Sequence, residues 1–543
     1  MWQQEYIPIA GSLTLSALAA GAPIFVLLLL LGVFRRPSWV AALAGLATAV
    51  IVAVGVYGMP GTLVVSSTAM GAAFGLFPIG WVVFWAIVLY RLTVETGQFE
   101  VIKDSIGGLT SDRRLQALLI AFALGAFIEG AAGFATPVAV AAAMMTGLGF
   151  SPFFAAGICL LANTAPVAFG SIGIPVITLA GITGLPLDEL SLWVGRLCAP
   201  VSLFIPAYLI LVMSGYRGLK GVLPAVVVCG LCFASMQFVV SNYVGPELVD
   251  IIAALTAILG LILLFKVWQP ADNFTEYSSM VLAGQAQGNA RITRHGFGRV
   301  LFAWSPYLFL VFFVLLWGSG VIGSTLNAVT IPMEWPGLHN LIMRGAPVVA
   351  SPTPYPAIYT LNWVSAAGSA CALATLVSAA FLKVSPGRYF RLLGAVVRQM
   401  AFSMLTIASV LGLAFLMNYS GATATLGLAF AATGVLFPFF SAMLGWLAVF
   451  LTGSDTSANA LFGNLQVVTA NALGFNPVLM AAANSAGGVM GKMISLQSLA
   501  VAVAATGMTR SEEGKLFRFT FGHSVLLASV IGVITVIYAW LLA

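Results

Sequence analysis

Charge is what this chain has least of: 22 lysines and arginines and 16 aspartates and glutamates, 7% of 543 residues, against 61% hydrophobic ones. A soluble globular domain carries roughly a quarter charged residues, so that class is excluded. No long polar stretch interrupts the apolar runs, which recur at about the 20 residues that cross a bilayer as a helix. The whole of 1–543 therefore reads as one integral membrane unit, an all-α polytopic protein. MWQQEYIPIA lacks the basic n-region of a cleaved signal, so the first apolar segment is expected to remain as a span. The five cysteines, Cys159, Cys198, Cys229, Cys232 and Cys371, all lie in apolar segments, which argues against an extracellular disulfide framework. Cys229 and Cys232 form a CxxC with no ligating His or Asp nearby and read as small packing residues; neither metal nor cofactor is expected. A Walker A motif, HExxH and a GxSxG setting are missing as well, so neither direct ATP hydrolysis nor an intramembrane enzyme is expected.

What charge there is has a pattern. The formal +6 does not indicate nucleic acid, because the basic residues fall at the ends of apolar segments, where the positive-inside rule places them. Arg35 and Arg36, then Lys103, Arg113 and Arg114, then Arg217 and Lys220 mark three cytoplasmic loops. Arg291, Arg294 and Arg299, then Lys383, Arg388 and Arg391, then Arg510, Lys515 and Arg518 mark three more. The 318–362 loop and the 241–250 turn, which carries Glu247 and Asp250, are expected outside. The charges agree with one another only if 115–149 and 434–473 each enter and leave on one side, as re-entrant hairpins. Irregular backbone at membrane depth is tolerated where protein or a water-filled cavity covers it. This leaves about twelve spans, with both termini outside.

The hairpin regions also resemble each other. Thr96 and Gly97 precede Glu129 by 33 and 32 residues; LGFSP (148–152) follows, then Asn163 and Thr164, with Gly170 seven after the Asn. Ser420 and Gly421 precede Asp455 by 35 and 34; LGFNP (473–477) follows, then Asn484 and Ser485, with Gly491 seven after the Asn. The charge pattern brings the first hairpin in from the cytoplasm and the second from outside, so the repeats, 78–214 and 392–543, are inverted about a connecting scaffold at 215–391. That is a plan of secondary transporters, with the binding site at the broken helices. LLANTAPVAFGSIGIP (160–175) and AAANSAGGVMGKMIS (481–495) are the expected breaks, since Pro removes a donor and Gly costs about 1 kcal/mol relative to Ala inside a helix. A half-helix starting at such a break points free N–H groups into the cavity, which suits a carboxylate. A kink that only shapes packing is the alternative.

At these stretches the sequence resembles the lactate permease family of proton-coupled transporters for L-lactate, D-lactate and glycolate. The likeness rests on GAFIEGAAGFATPVAV, NTAPVAFGSIGIP, SNYVGPELVDI, the stretch from NYSGATATLGLAF through GSDTSANALFGNLQ, and NSAGGVMGKMISLQSLAVA. It implies symport of a 2-hydroxymonocarboxylate with protons across a bacterial cytoplasmic membrane, by a hairpin-bearing domain that moves against a scaffold in elevator fashion. The partners are then a small monocarboxylate, protons and the lipid bilayer, with a homodimer left open. A carboxylate channel and a Na⁺-coupled carrier are the competing readings.

Charge inside hydrocarbon costs from about 2.5 to well over 10 kcal/mol, so intramembrane acids and bases are functional candidates. Glu129 and Asp455 are expected at equivalent hairpin tips, where desolvation favours a neutral carboxyl and suits a proton carrier; an acid fixed by backbone N–H groups is the structural alternative. Ser454 and Thr456 flank Asp455. Lys492 is the first candidate to meet a substrate carboxylate, with pairing to Asp455 or snorkelling to an interface as its alternatives, and Arg196 is the second; Arg196 and Arg398 are both placed where hydropathy buries them, with reach to a membrane surface as the alternative. Asn163, Thr164, Gly170, Asn484 and Ser485 offer groups for a substrate hydroxyl and carboxylate, or else satisfy backbone freed at the breaks. His523 is expected near the cytoplasmic interface.

Overall fold

The computed structural model describes residues 1–133, 136–271, 293, 295–318, 320–349, 351–509 and 512–542. Arg291, Arg294 and Arg510 lie outside the described residues.

The repeat seen in the sequence is a repeat of helix punctuation. In LGFSP and LGFNP the glycine takes positive φ, +90° at Gly149 and +76° at Gly474, ending the helix before it. The polar residue two places on caps the next helix: Ser151 Oγ accepts from Phe154 N at 3.3 Å, and Asn476 Oδ1 accepts from Val478 N at 2.9 Å. The proline then fills the first helical position, where no donor is needed. Each motif thus turns the chain from the second arm of a hairpin into a broken span.

The first hairpin is Arg113–Ala132 and Thr136–Gly147, and its span is Pro152–Ala162 broken from Ile174–Thr183. The second is Phe437–Thr452 and Asp455–Leu473, and its span is Pro477–Gly491 broken from Leu496–Thr506. Each tip seats on the break of its own repeat: a Cβ on Gly133 would lie 3.1 Å from Ser171 Cβ, and one on Gly453 2.8 Å from Gln497 Oε1. The repeats also interlock. Ile174–Thr183 packs on Asp455–Leu473, and Leu496–Thr506 packs on Thr136–Gly147.

Around this core, Leu13–Gly32, Ser38–Gly55 and Gly61–Phe74 pack together with or against Pro386–Ser420. Gly61–Phe74 continues into Trp81–Glu95 through a bend at Phe77. Leu187–Gly221, Leu223–Tyr243 and Val249–Val267 pack in series on the other side. Phe297–Gly318 and Ala367–Phe381 flank a strand-bearing loop, and Glu513–Leu541 ends the chain.

Two faces emerge from the contacts. Arg114 donates to Gly218 O, His295 meets Asp104, Arg388 donates to Glu95 O, and Arg113 donates to Leu148 O, so the basic loops around 103–114, 217–220, 295–299 and 383–391 share one face. On the other, strand Trp2–Gln3 pairs with Ile342–Arg344 in the 331–361 loop, and Gln4 Nε2 caps the carbonyls of Asn418 and Tyr419. Both ends of the first hairpin return to the basic face. Thr469 of the second hairpin bonds Gly427 O near the opposite one. Eleven helices among the described residues, or twelve with one bent pair, are long and apolar enough to cross a membrane. Following the chain between the faces, with the hairpins returning and Pro152–Thr183 and Ala367–Phe381 crossing, gives twelve crossings among the described residues.

Three expectations need correction. The glycines of AAANSAGGVMG do not break their helix, which runs unbroken to Gly491. They admit the facing hairpin arm instead: a Cβ on Gly487 would lie 2.2 Å from Ala442 O, and one on Gly491 2.3 Å from Trp446 O. The break falls at Lys492–Ser495. The 241–250 turn is not simply external, because Pro246 packs on the break at Gly173 and Asp250 is buried in the first turn of Val249–Val267. Arg398 is exposed rather than buried.

Candidate functional site

A cavity of ≈ 150 Å³ lies where the tips and breaks of both repeats converge. Glu129 and Gly133 come from the first hairpin, Gly170, Ser171 and Pro175 from the first break, and Thr452 to Ser457 from the second tip. Lys492 and Gln497 bracket the second break. The opposite wall is Leu27, Leu31, Ser38 and Ala42 with Ser403, Thr406, Ile407 and Val410 of the long Pro386–Ser420 helix.

The acids do not occupy equivalent positions. Glu129 lies one turn before its tip glycine, on the first arm, whereas Asp455 follows its tip glycine and opens the second arm. Glu129 Oε2 accepts from Asn163 Nδ2 at 3.0 Å. Asp455 Oδ2 accepts from Ser485 Oγ at 2.7 Å and from Asn459 Nδ2 at 3.3 Å. The two broken spans therefore supply donors to the acids: Asn163 at the break itself in one repeat, and Ser485, inside the unbroken Pro477–Gly491 helix, in the other.

Lys492 is buried, 8% exposed, and its ammonium has no hydrogen-bond or ion-pair partner among the described residues. It stands within electrostatic reach of both Glu129 and Asp455. Beside it the helix Asp455–Leu473 begins, with Ser454 as N-cap accepting from Ser457 N, so the N–H groups of Asp455 and Thr456 stay free at the cavity wall. Helix Ile174–Thr183 also starts at this wall and brings its dipole, though no free N–H from its first two residues, since Ile174 N donates to Ser171 O and Pro175 has none. A buried unpaired cation and two helix N-termini around one small cavity form a site for an anion.

Of the residues expected from the sequence, Glu129, Gly170, Ser454, Asp455, Thr456 and Lys492 meet at the cavity. Asn163 and Ser485 stand behind it, bonded to the acids. Asn484 is held by Asn459 and Gln466, and Thr164 Oγ1 donates to Leu161 O, satisfying backbone. Arg196 stands apart, with Nε donating to Asn242 Oδ1 at 3.1 Å and its guanidinium over Trp193. His523 meets Tyr208 between Glu513–Leu541 and Leu187–Gly221, also outside the cavity.

Sequence reasoning missed Asn459, which bonds Asp455, Ser485, Asn484 and Pro175 O and so joins the repeats. Its signal was there: four residues after Asp455, it lies on the same helical face. Ser403 and Thr406 of the opposite wall carried no such signal, being ordinary polar residues on a long helix.

A sequence model of the L-lactate permease family matches residues 16–542. The chain belongs to the L-lactate permease family. It is 45% identical to an L-lactate permease of Bacillus subtilis, over 100% of both chains. It is 42% identical to the glycolate permease GlcA of Escherichia coli K12, over 99% of this chain and 98% of that one. Among solved structures it resembles the YdaH transporter of Alcanivorax borkumensis at TM-score 0.43 and 14% identity, covering 88% and 87% of the two chains. Membership places this chain among multi-pass membrane permeases.

Proposed function

We propose that this permease is a secondary transporter carrying L-lactate and related 2-hydroxymonocarboxylates, D-lactate and glycolate, together with protons across the bacterial cytoplasmic membrane. The observation that carries the reading is the buried, unpaired Lys492 on a cavity that both acids line. A buried ammonium with no hydrogen-bond partner among the described residues is a charge kept in hydrocarbon for function, and a small carboxylate is its natural partner. The names of the relatives supply the acid's identity: L-lactate for one, glycolate for the other.

Charge balance links the substrate to the proton. Glu129, Asp250, Asp455 and Lys492 are all buried in this region. With every carboxyl ionised the group is net negative before a substrate anion enters, and each further negative charge at low dielectric is costly. Proton uptake by a carboxyl offsets the arriving anion, which is the physical content of symport here. Glu129 and Asp455 face the cavity and couple the proton; Lys492 and the two helix N-termini hold the substrate carboxylate; Ser454 and Thr456 meet the hydroxyl.

The cavity wall has two parts, the hairpins and breaks on one side and helices of the 13–55 and 386–420 regions on the other. In this reading the hairpins and broken spans of the two repeats, 113–183 and 437–506, move against the surrounding helices, the 386–420 helix among them, with both termini outside. One chain supplies the whole wall, so no second copy is required.

The test is uptake into proteoliposomes without Na⁺ or ATP. An imposed pH gradient should drive lactate and glycolate toward the alkaline side, and its reversal should reverse the flow. Uptake that requires Na⁺ and ignores the pH gradient would overturn the proton reading. Steady conduction far above carrier turnover would make the chain a channel.

A further inference from the structure

A third carboxylate lies behind the cavity. Asp250, in the first turn of Val249–Val267, is 2% exposed, and neither of its oxygens has a hydrogen-bond partner among the described residues. It sits against the first hairpin: a Cβ on Gly130, the residue after Glu129, would lie 2.9 Å from Asp250 Cβ. Glu129 and Asp250 are within electrostatic reach of each other.

The groups around it are few. The hairpin arm brings Glu129, and Leu187–Gly221 brings the thiol of Cys198, which feels both Asp250 and Asp455. The arm segment ALLIAFAL, the break NTAPVAFGSIG and the helix Leu223–Tyr243 bring no charged side chain. Within its own turn the nearest acid is the half-buried Glu247. Among the described residues no cation pairs with Asp250. Glu129 and Asp455, by contrast, both accept hydrogen bonds that favour their ionised forms. Buried carboxyls that interact exchange protons as a set, and the ionised form of a carboxyl with no donor at either oxygen is the least supported.

We infer that Asp250 holds the transported proton in the substrate-free state, and that Glu129 is the acid through which this proton meets the cavity. The inference rests on the symport reading and deepens it. No bond changes beyond the O–H: the proton taken up from one side onto the pair is released to the other, while the substrate anion crosses with it. The role of Asp250 is that of a proton-holding group behind the site, since it does not line the cavity.

Infrared difference spectra of the parent protein at acid and alkaline pH, with carbon-13 in aspartate or glutamate carboxyls, test this without disturbing the fold. A protonated-carboxyl band should shift with the aspartate label. In Asp250→Glu the band should pass to the glutamate label, which separates Asp250 from Asp455. A band that follows only the glutamate label in the parent, or stays with aspartate in Asp250→Glu, overturns the inference. In proteoliposomes Asp250→Asn should lose pH-driven accumulation while still exchanging lactate for lactate; full accumulation by that variant also overturns it. Should the parent itself fail to accumulate lactate on a pH gradient, the symport reading fails, and the infrared result still decides whether Asp250 holds a proton.

Discussion

At the scale of single residues, Lys492 carries the argument. Its ammonium has no partner among the described residues, so removing it takes nothing from the packing except a cation from the cavity wall. Lys492→Met should weaken lactate binding by about 1.5 to 3 kcal/mol, the worth of a charge-assisted hydrogen bond, measured by isothermal titration on the purified protein. Unchanged affinity would remove Lys492 from the site. Glu129→Gln tests the other half of the reading. The carboxamide keeps an acceptor for Asn163 Nδ2 but cannot ionise, so lactate-for-lactate exchange should persist while pH-driven accumulation is lost. A Glu129→Gln protein that still accumulates lactate would reduce the residue to an acid fixed in its hairpin.

Helix packing around the second hairpin depends on missing side chains. A Cβ on Gly445 would fall 1.8 Å from Asn484 O, and one on Gly488 2.5 Å from Asp455 Oδ1. Gly445→Ala must therefore push Phe437–Thr452 away from Pro477–Gly491, shifting Ser485 from Asp455. Overpacking of this kind costs about 1 to 3 kcal/mol and often more against backbone. The expected result is a lower thermal midpoint and weaker substrate binding. Gly522→Ala is the matched control, since nothing lies within 4 Å of its Cβ; there the gain in helix propensity, about 1 kcal/mol, should leave the midpoint equal or higher. Equal behaviour of the two variants would show that the close approach at Gly445 is not a constraint.

For the whole molecule, the two faces are the testable property. With the five cysteines replaced by serine, a cysteine at Glu334, whose side chain is 77% exposed in the strand-bearing loop, should react with an impermeant maleimide added to intact cells. One at Glu100, 66% exposed beside the basic loops, should react only after the cells are opened. The reverse pattern would invert the orientation. Asn418 ties the long Pro386–Ser420 helix to the core, donating to Ile182 O at 3.4 Å and accepting from Asn464 at 3.1 Å.

The membrane setting, the spans and the paired helix punctuation of LGFSP and LGFNP were legible in the sequence, because hydropathy, positive charge at loop ends and capping residues act locally and leave local marks. Glu129, Asp455 and Lys492 were legible for the same reason: a charge in an apolar run is anomalous wherever the run goes. Only the tertiary structure decided which groups meet. The glycines of 487–491 read as helix breakers because a glycine's backbone freedom is visible in sequence, while the carbonyl that crosses against it belongs to a residue about 45 positions away. Asp250 read as part of an external turn because burial depends on the hairpin that covers it, and Arg196 read as a site cation because nothing in its own segment reveals Asn242. Long-range packing sets both, and no local pattern encodes it.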